Sequence, residues 1–216
     1  MIFINRPAKS PAITLATILI LFCVSVFAQQ KGTFTDPRDG KVYKTVKIGT
    51  QTWLAENLNY EVEGSVCYEN NPANCAKYGR LYDWETAKKV CPKGWHLPNN
   101  AEWDKLFRFV DGDKEGSEIL YNSETAGKHL KAVSGWNFYK EYYGNGTNDY
   151  GFSALPSGNG GSDGNFNGVG HYGGWWSADE YNSGYAYGRS MIYYCEYAHW
   201  YYSDKSNLYS VRCLQD

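Results

Sequence analysis

The sequence predicts an α+β domain in which two helices pack on a twisted antiparallel sheet with long loops. Two observations carry this. Helix-period patterns are confined to the stretch from Lys77 to Phe107, and the rest of the chain reads as strand or loop. The composition, with 20 tyrosines and 23 glycines against 2 methionines, is that of a β-rich extracellular domain.

The chain opens with Arg6 and Lys9 ahead of an apolar run from Ile13 to Phe27, and Val26-Phe27-Ala28 supplies the small residues that signal peptidase needs. Residues 1–28 therefore read as a cleaved signal peptide. The run is shorter than the roughly 18 residues that argue for a membrane span, and none is expected in the mature chain. Phe22 is too bulky for a lipobox at Cys23, so no lipid anchor is expected. Residues 29–38 read as a polar linker and 39–216 as one domain. A formal net charge of −2, with no basic run to track phosphates, gives no reason to expect nucleic acid.

Asp39-Gly40 marks a turn. Val42 to Ile48 alternates apolar and polar residues as a half-buried strand, and Gly49-Thr50 turns it into a second strand that sends Trp53 and Leu58 to the core. Asn57 is expected to cap or bridge backbone. In the first helical pattern Leu81, Trp84, Ala87, Val90 and Cys91 recur at helical spacing, which predicts about three turns ended by Pro92 and Gly94. In the second, Asn99 and Glu102 have capping-box spacing ahead of a stripe of Trp103, Leu106, Phe107 and Val110. Gly94 to Pro98 is too short and apolar for a free loop and is expected to run buried between the helices.

Leu130 and Trp136 frame a short apolar patch, and Gly151 to Pro156 reads as a buried strand. Ser157 to Gly174 is glycine-rich with almost no aliphatic residues, so it is expected to be a long structureless loop with a binding role. The remainder reads as antiparallel meander strands at Trp175–Ser177, Tyr185–Tyr194, Tyr197–Tyr202 and Leu208–Leu214. Both faces of Tyr193 to Tyr202 carry aromatics, so one set is expected to stay partly exposed.

Catalytic and metal signatures are thin. His96, His129, His171 and His199 show no metal spacing, and no serine sits in a nucleophile elbow. The acidic alternation at Asp111, Asp113 and Glu115, and that at Asp163, Asn165 and Asn167, begin like calcium loops. Their twelfth positions are Asn122 and Gly174, where a carboxylate is required. No metal, cofactor or catalytic residue is expected. Of the cysteines left after processing, Cys67 and Cys75 bracket a polar loop, and a local bridge there is worth about 2.5 kcal/mol in the loop-entropy model. The pairing of Cys91, Cys195 and Cys213 is open on residues alone.

Five ordered motifs, VKIGTQTWLAENLNY from Val46, YGRLYDWETAKKVCPKGWHLPNNAEW from Tyr78, GFSALPSG from Gly151, WWSA from Trp175 and YSVRCLQD from Tyr209, resemble the Fibrobacter succinogenes major paralogous domain family. The resemblance implies a secreted or cell-surface bacterial protein with no established activity. That family is in turn similar to the C-type lectin-like and formylglycine-generating enzyme folds, which implies a C-type lectin-like architecture. It also implies a bridge from Cys91 to Cys213. Cys195 is then the odd cysteine and reads as a buried strand thiol, the alternatives being a bridge to Cys213 or to another chain. The paired sugar-binding signatures of calcium-dependent lectins are absent, and no cysteine pair matches the metal site of formylglycine-generating enzymes.

The expected function is a non-catalytic secreted or cell-surface binding module whose partner is a polysaccharide or a surface protein, with glycan favoured by the aromatic excess. The site is expected where the glycine-rich stretch meets the aromatic strands. Phe166, Tyr172 and Trp175 would stack on sugar rings, and Asp163, Asn165 and Asn167 would hydrogen-bond hydroxyls. The alternative is an envelope structural or assembly protein without a small ligand.

Overall fold

The structure is a computed structural model that describes residues 30–112 and 122–216. The expected signal peptide and the acidic positions Asp113 and Glu115 lie outside the described residues.

β1 (Lys31–Thr35) pairs antiparallel with β2 (Val42–Ile48), Lys31 facing Val46 and Thr35 facing Val42, so much of the segment read as a linker is an edge strand. Its anchor is Phe34, whose ring lies 5.1 Å from that of Trp95. Gly49 turns β2 into β3 (Gln51–Leu54), as the sequence indicates. After β4 (Ser65–Val66) comes a helix the sequence did not announce, α1 (Pro72–Tyr78), which starts inside the Cys67–Cys75 ring. It lacks an apolar stripe and rests on its start signals: the Asn71 side chain accepts from the Ala73 N–H, and Pro72 stands where no amide donor is missed.

The first expected helix is shorter than its pattern. Asp83 accepts from the Thr86 N–H at 2.9 Å and starts α2 (Trp84–Val90) there, while Leu81 belongs to β5 (Leu81–Tyr82). β6 (Trp95–His96) crosses to α3 (Asn100–Asp111), which carries the full reciprocal box between Asn99 and Glu102. α4 (Ala126–Leu130) and the small hairpin of β7 (Phe138–Tyr139) and β8 (Tyr142–Tyr143) follow. Gly151 to Pro156 is not a regular strand. Phe152 and Ala154 are buried there, but pairing is limited to a bridge from Ala154 to Lys131.

The expected long loop is largely a hairpin, β9 (Ser157–Gly160) and β10 (Phe166–Val169). β11 (Tyr172–Glu180), β12 (Tyr185–Ile192) and β13 (Ala198–Asp204) form an antiparallel meander. β12 and β13 lie close to the strands expected at Tyr185–Tyr194 and Tyr197–Tyr202, but the turn between them interrupts the two-faced alternation read across Tyr193 to Tyr202 and leaves Cys195 half-buried outside any strand. The meander also ends early. β14 (Tyr209–Ser210) pairs parallel with β11 and antiparallel with β5, whereas β15 (Leu214–Gln215) joins β3 and β6, so the last expected strand is shared between two sheets.

The first sheet has the order β1-β2-β3-β15-β6. The larger one runs β10-β9-β11-β14-β5-β4, with β12 and β13 continuing from the other edge of β11. Adjacent residues of a strand point to opposite faces, and here Trp175 and Trp176, both fully buried, divide the interior. Trp175 lies in a core with Trp53, Trp103, Phe107 and Phe152. Trp176 lies in another with Tyr82, Trp84, Trp95 and Val211. α3 closes the first core and α2 the second. Cys91, at the end of α2, is bonded to Cys213 beside β15.

Candidate functional site

The β9–β10 hairpin exists because its backbone needs more room than side chains allow. Gly158 has φ 65°, and a Cβ there would stand 2.5 Å from the Asn167 carbonyl oxygen. Gly160 faces Phe166 across the pair, and Asn159 faces Asn167. Backbone bonds between Gly160 and Leu208 in both directions fasten the hairpin to the segment ahead of β14.

At the tip, four of the six residues expected to bind ligand come together. Asp163, Asn165, Phe166 and Asn167 line an open groove of about 520 Å³ together with Asn159 and Asn207. Asp163 accepts from the Asn165 N–H at 3.0 Å and from its side-chain amide at 2.7 Å. These two bonds hold the Asp163 carboxyl below its ordinary value of 3.8. The Phe166 ring is half-exposed and lies 5.3 Å from Tyr68, so it leans on the loop that the Cys67–Cys75 bridge closes. Asn207 holds Ser203 Oγ through its amide at 2.9 Å. The groove therefore offers amide donors and acceptors around one aromatic ring, the mixture that orients hydroxylated ligands.

The other two expected residues point elsewhere. Trp175 is fully buried and its Nε1 donates to Asn57 Oδ1 at 2.8 Å, so it cannot stack on a ligand. Its place after the glycines points to the site, but the same strand position carries it into the core. Tyr172 turns its ring against Tyr201 and Tyr209, at 6.2 and 6.4 Å, and burial pushes its phenol well above the ordinary 10.0. Asn159 and Asn207 were missed. The Asn207 signal, a run of Asp204-Lys205-Ser206-Asn207, reads only as a turn until the fold brings it beside the hairpin.

A second open groove of about 680 Å³ shares Gly161 and Ser162 with the first and continues past Asp83, Glu85, Gly184 and Lys205. Among the described residues no group of three or more His, Cys, Asp or Glu side chains is placed to hold a metal ion, and no helix is long and apolar enough to cross a membrane.

A family model described as the Fibrobacter succinogenes major domain matches residues 46–215. No curated protein and no solved structure matches the chain.

Proposed function

Since the chain belongs to the Fibrobacter succinogenes major domain family, we propose that it is a secreted or cell-surface binding module, non-catalytic, whose ligand is a polysaccharide. The observation that carries this is the hairpin groove, in which Asp163, Asn165, Asn167, Asn159 and Asn207 surround the half-exposed ring of Phe166. Ring area supplies affinity that tolerates differences in sugar identity, and the amides set orientation. Export is consistent with the bridges Cys67–Cys75 and Cys91–Cys213, which need an oxidising compartment. The C-type lectin-like reading of the fold draws support from the second bridge and from the return of β15 to the sheet of the N-terminal hairpin.

The test is affinity electrophoresis of the mature domain through polysaccharide gels, with a glycan array run alongside. Phe166→Ala and Asn207→Ala should keep the parent's melting temperature and migrate faster through a gel that retards the parent. Equal retardation of parent and both variants would remove the groove from the account. A parent that binds no glycan would favour the assembly role instead.

A further inference from the structure

The outer end of the β12–β13 hairpin presents rings that neither core uses. Tyr187 and Tyr202 face each other across the pair, and Trp200 faces Arg189 one step inward on the same side. Tyr181 stacks on Tyr202 with centroids 4.3 Å apart and planes 7° from parallel. Tyr185 stands edge-on to Tyr202, Tyr187 edge-on to Tyr181, and Trp200 edge-on to Tyr187, at 5.9, 5.4 and 5.9 Å. Tyr181, Tyr185 and Tyr202 are 47, 41 and 49 % exposed, and Tyr187 and Trp200 are half-buried. Rings braced edge-to-face lose little freedom when a ligand arrives.

We infer that this five-ring strip is a second sugar-contact face that takes a neutral, extended polysaccharide; the inference rests on the glycan-binding reading above. Charge points to a neutral ligand. Near the strip, Glu180 is paired with Lys205 at 2.9 Å, and Asp204 Oδ1 is occupied by the Ser206 N–H and hydroxyl. Area argues against a second copy of the chain. With three rings about half exposed and two less so, the 150–250 Å² of each aromatic side chain reduces to roughly 400 Å² of accessible strip, about half of the ~800 Å² per partner that a stable protein interface needs. Position favours a long ligand. Gly184 and Asp204 line the second groove, and Tyr185 follows Gly184 in the chain and faces Asp204 in the pair, so the strip begins where the grooves end.

The chain carries its own reporter. Of its eight tryptophans, Trp53, Trp84, Trp95, Trp103, Trp136, Trp175 and Trp176 are buried, which leaves Trp200 to sense a ligand on the strip. Titration with hydroxyethylcellulose or xyloglucan should shift tryptophan emission to the blue, with polygalacturonate producing no shift. Tyr202→Ala should abolish the shift and weaken retention about tenfold, while Phe166→Ala keeps the shift. Tyr181→Ser should behave as Tyr202→Ala and decides the matter if the latter melts early. Retention lost in Phe166→Ala but intact in Tyr202→Ala and Tyr181→Ser, with emission unmoved, would overturn the strip and leave the groove standing. A parent retained by no neutral polysaccharide would overturn both. A dimer by light scattering that Tyr202→Ala converts to monomer would show that the strip is covered by a second copy, and would overturn the sugar assignment.

Discussion

Arg212 donates through Nη2 to Asn57 Oδ1 at 2.7 Å, and both side chains are buried. The same oxygen accepts from Arg212 Nε at 3.2 Å and Trp175 Nε1 at 2.8 Å, while the Asn57 amide donates to the Tyr78 carbonyl at 2.8 Å. The other acceptors on the guanidinium are the carbonyls of Phe152 and Leu54, at 2.5 and 3.2 Å. One amide thus ties the end of α1, the central strand and the C-terminal segment to a buried cation.

Removing that amide leaves the cation short of an acceptor. Asn57→Ala is expected to cost about 3–5 kcal/mol, the range for breaking a buried charged contact. Asn57→Asp keeps oxygens for Arg212 and loses the donors to Tyr78, so its loss should be smaller. Urea unfolding of both variants checks the order, and an Asn57→Ala protein as stable as the parent would show that Arg212 finds other partners.

His96 should make stability fall as pH rises. Burial lowers its pKa, but its bonds to Asp216 at 2.6 Å and Glu102 at 2.9 Å outweigh that, and the net shift is upward from 6.5. A raised folded pKa means that the folded state holds the proton more tightly. The stabilisation is complete below the unfolded value of 6.5 and is lost as pH climbs through the raised folded value. The difference in melting temperature between parent and His96→Gln should therefore be larger near pH 5.5 than near pH 8.5, each taken about a unit or more from the ordinary imidazole value. A constant difference would mean that the triad carries no proton-linked stability.

The sequence was most legible where side chains alone decide structure. α3 was readable because Asn99, Glu102 and the stripe from Trp103 to Val110 agree on one helix. α2 was over-extended because Leu81 fits the helical period, although its backbone pairs with Val66 and Ser210. The β9–β10 hairpin was hidden, since strands built on Gly158, Gly160 and Gly168 show no alternation and are held by backbone bonds. The C-terminal segment has the pattern of one strand, but Val211 and Cys213 accept from the amides of Leu58 and Leu54 as the chain passes from one sheet to the other. Within the site, Asp163, Asn165, Phe166 and Asn167 were legible as a cluster because they are consecutive or nearly so. Trp175 was not, because only the neighbours across the strand determine that both members of the Trp175-Trp176 pair are core.

The two bridges should differ in worth. The Cys91–Cys213 ring spans a separation of 122 residues and the Cys67–Cys75 ring one of 8. The loop-entropy model assigns them about 5 and about 2.5 kcal/mol, with measured values commonly lower. Cys91→Ala/Cys213→Ala should lower the melting temperature more than Cys67→Ala/Cys75→Ala. Peptide mapping without reductant should recover both pairs, and recovery of Cys195 bonded to Cys213 would contradict the observed pairing.

Trp84 is the test of the second core. It is 1 % exposed, its Nε1 donates to the Ser177 carbonyl at 2.8 Å, and Lys88 and Lys205 lie against its ring at 3.8 and 4.6 Å. Truncation removes the ring from the centre of the α2–β11 contact and leaves the Ser177 carbonyl without its donor, so Trp84→Ala should cost about 3–5 kcal/mol. Trp84→Phe refills most of the volume but not the hydrogen bond, so its smaller loss measures mainly the bond, and the difference between the two variants measures the cavity. Because Lys205 also pairs with Glu180 beside the aromatic strip, the Phe variant should retain polysaccharide as the parent does if the strip is held by its own ring contacts. Weakened retention in a Phe variant with near-parent stability would instead show that α2 positions the strip through Lys205.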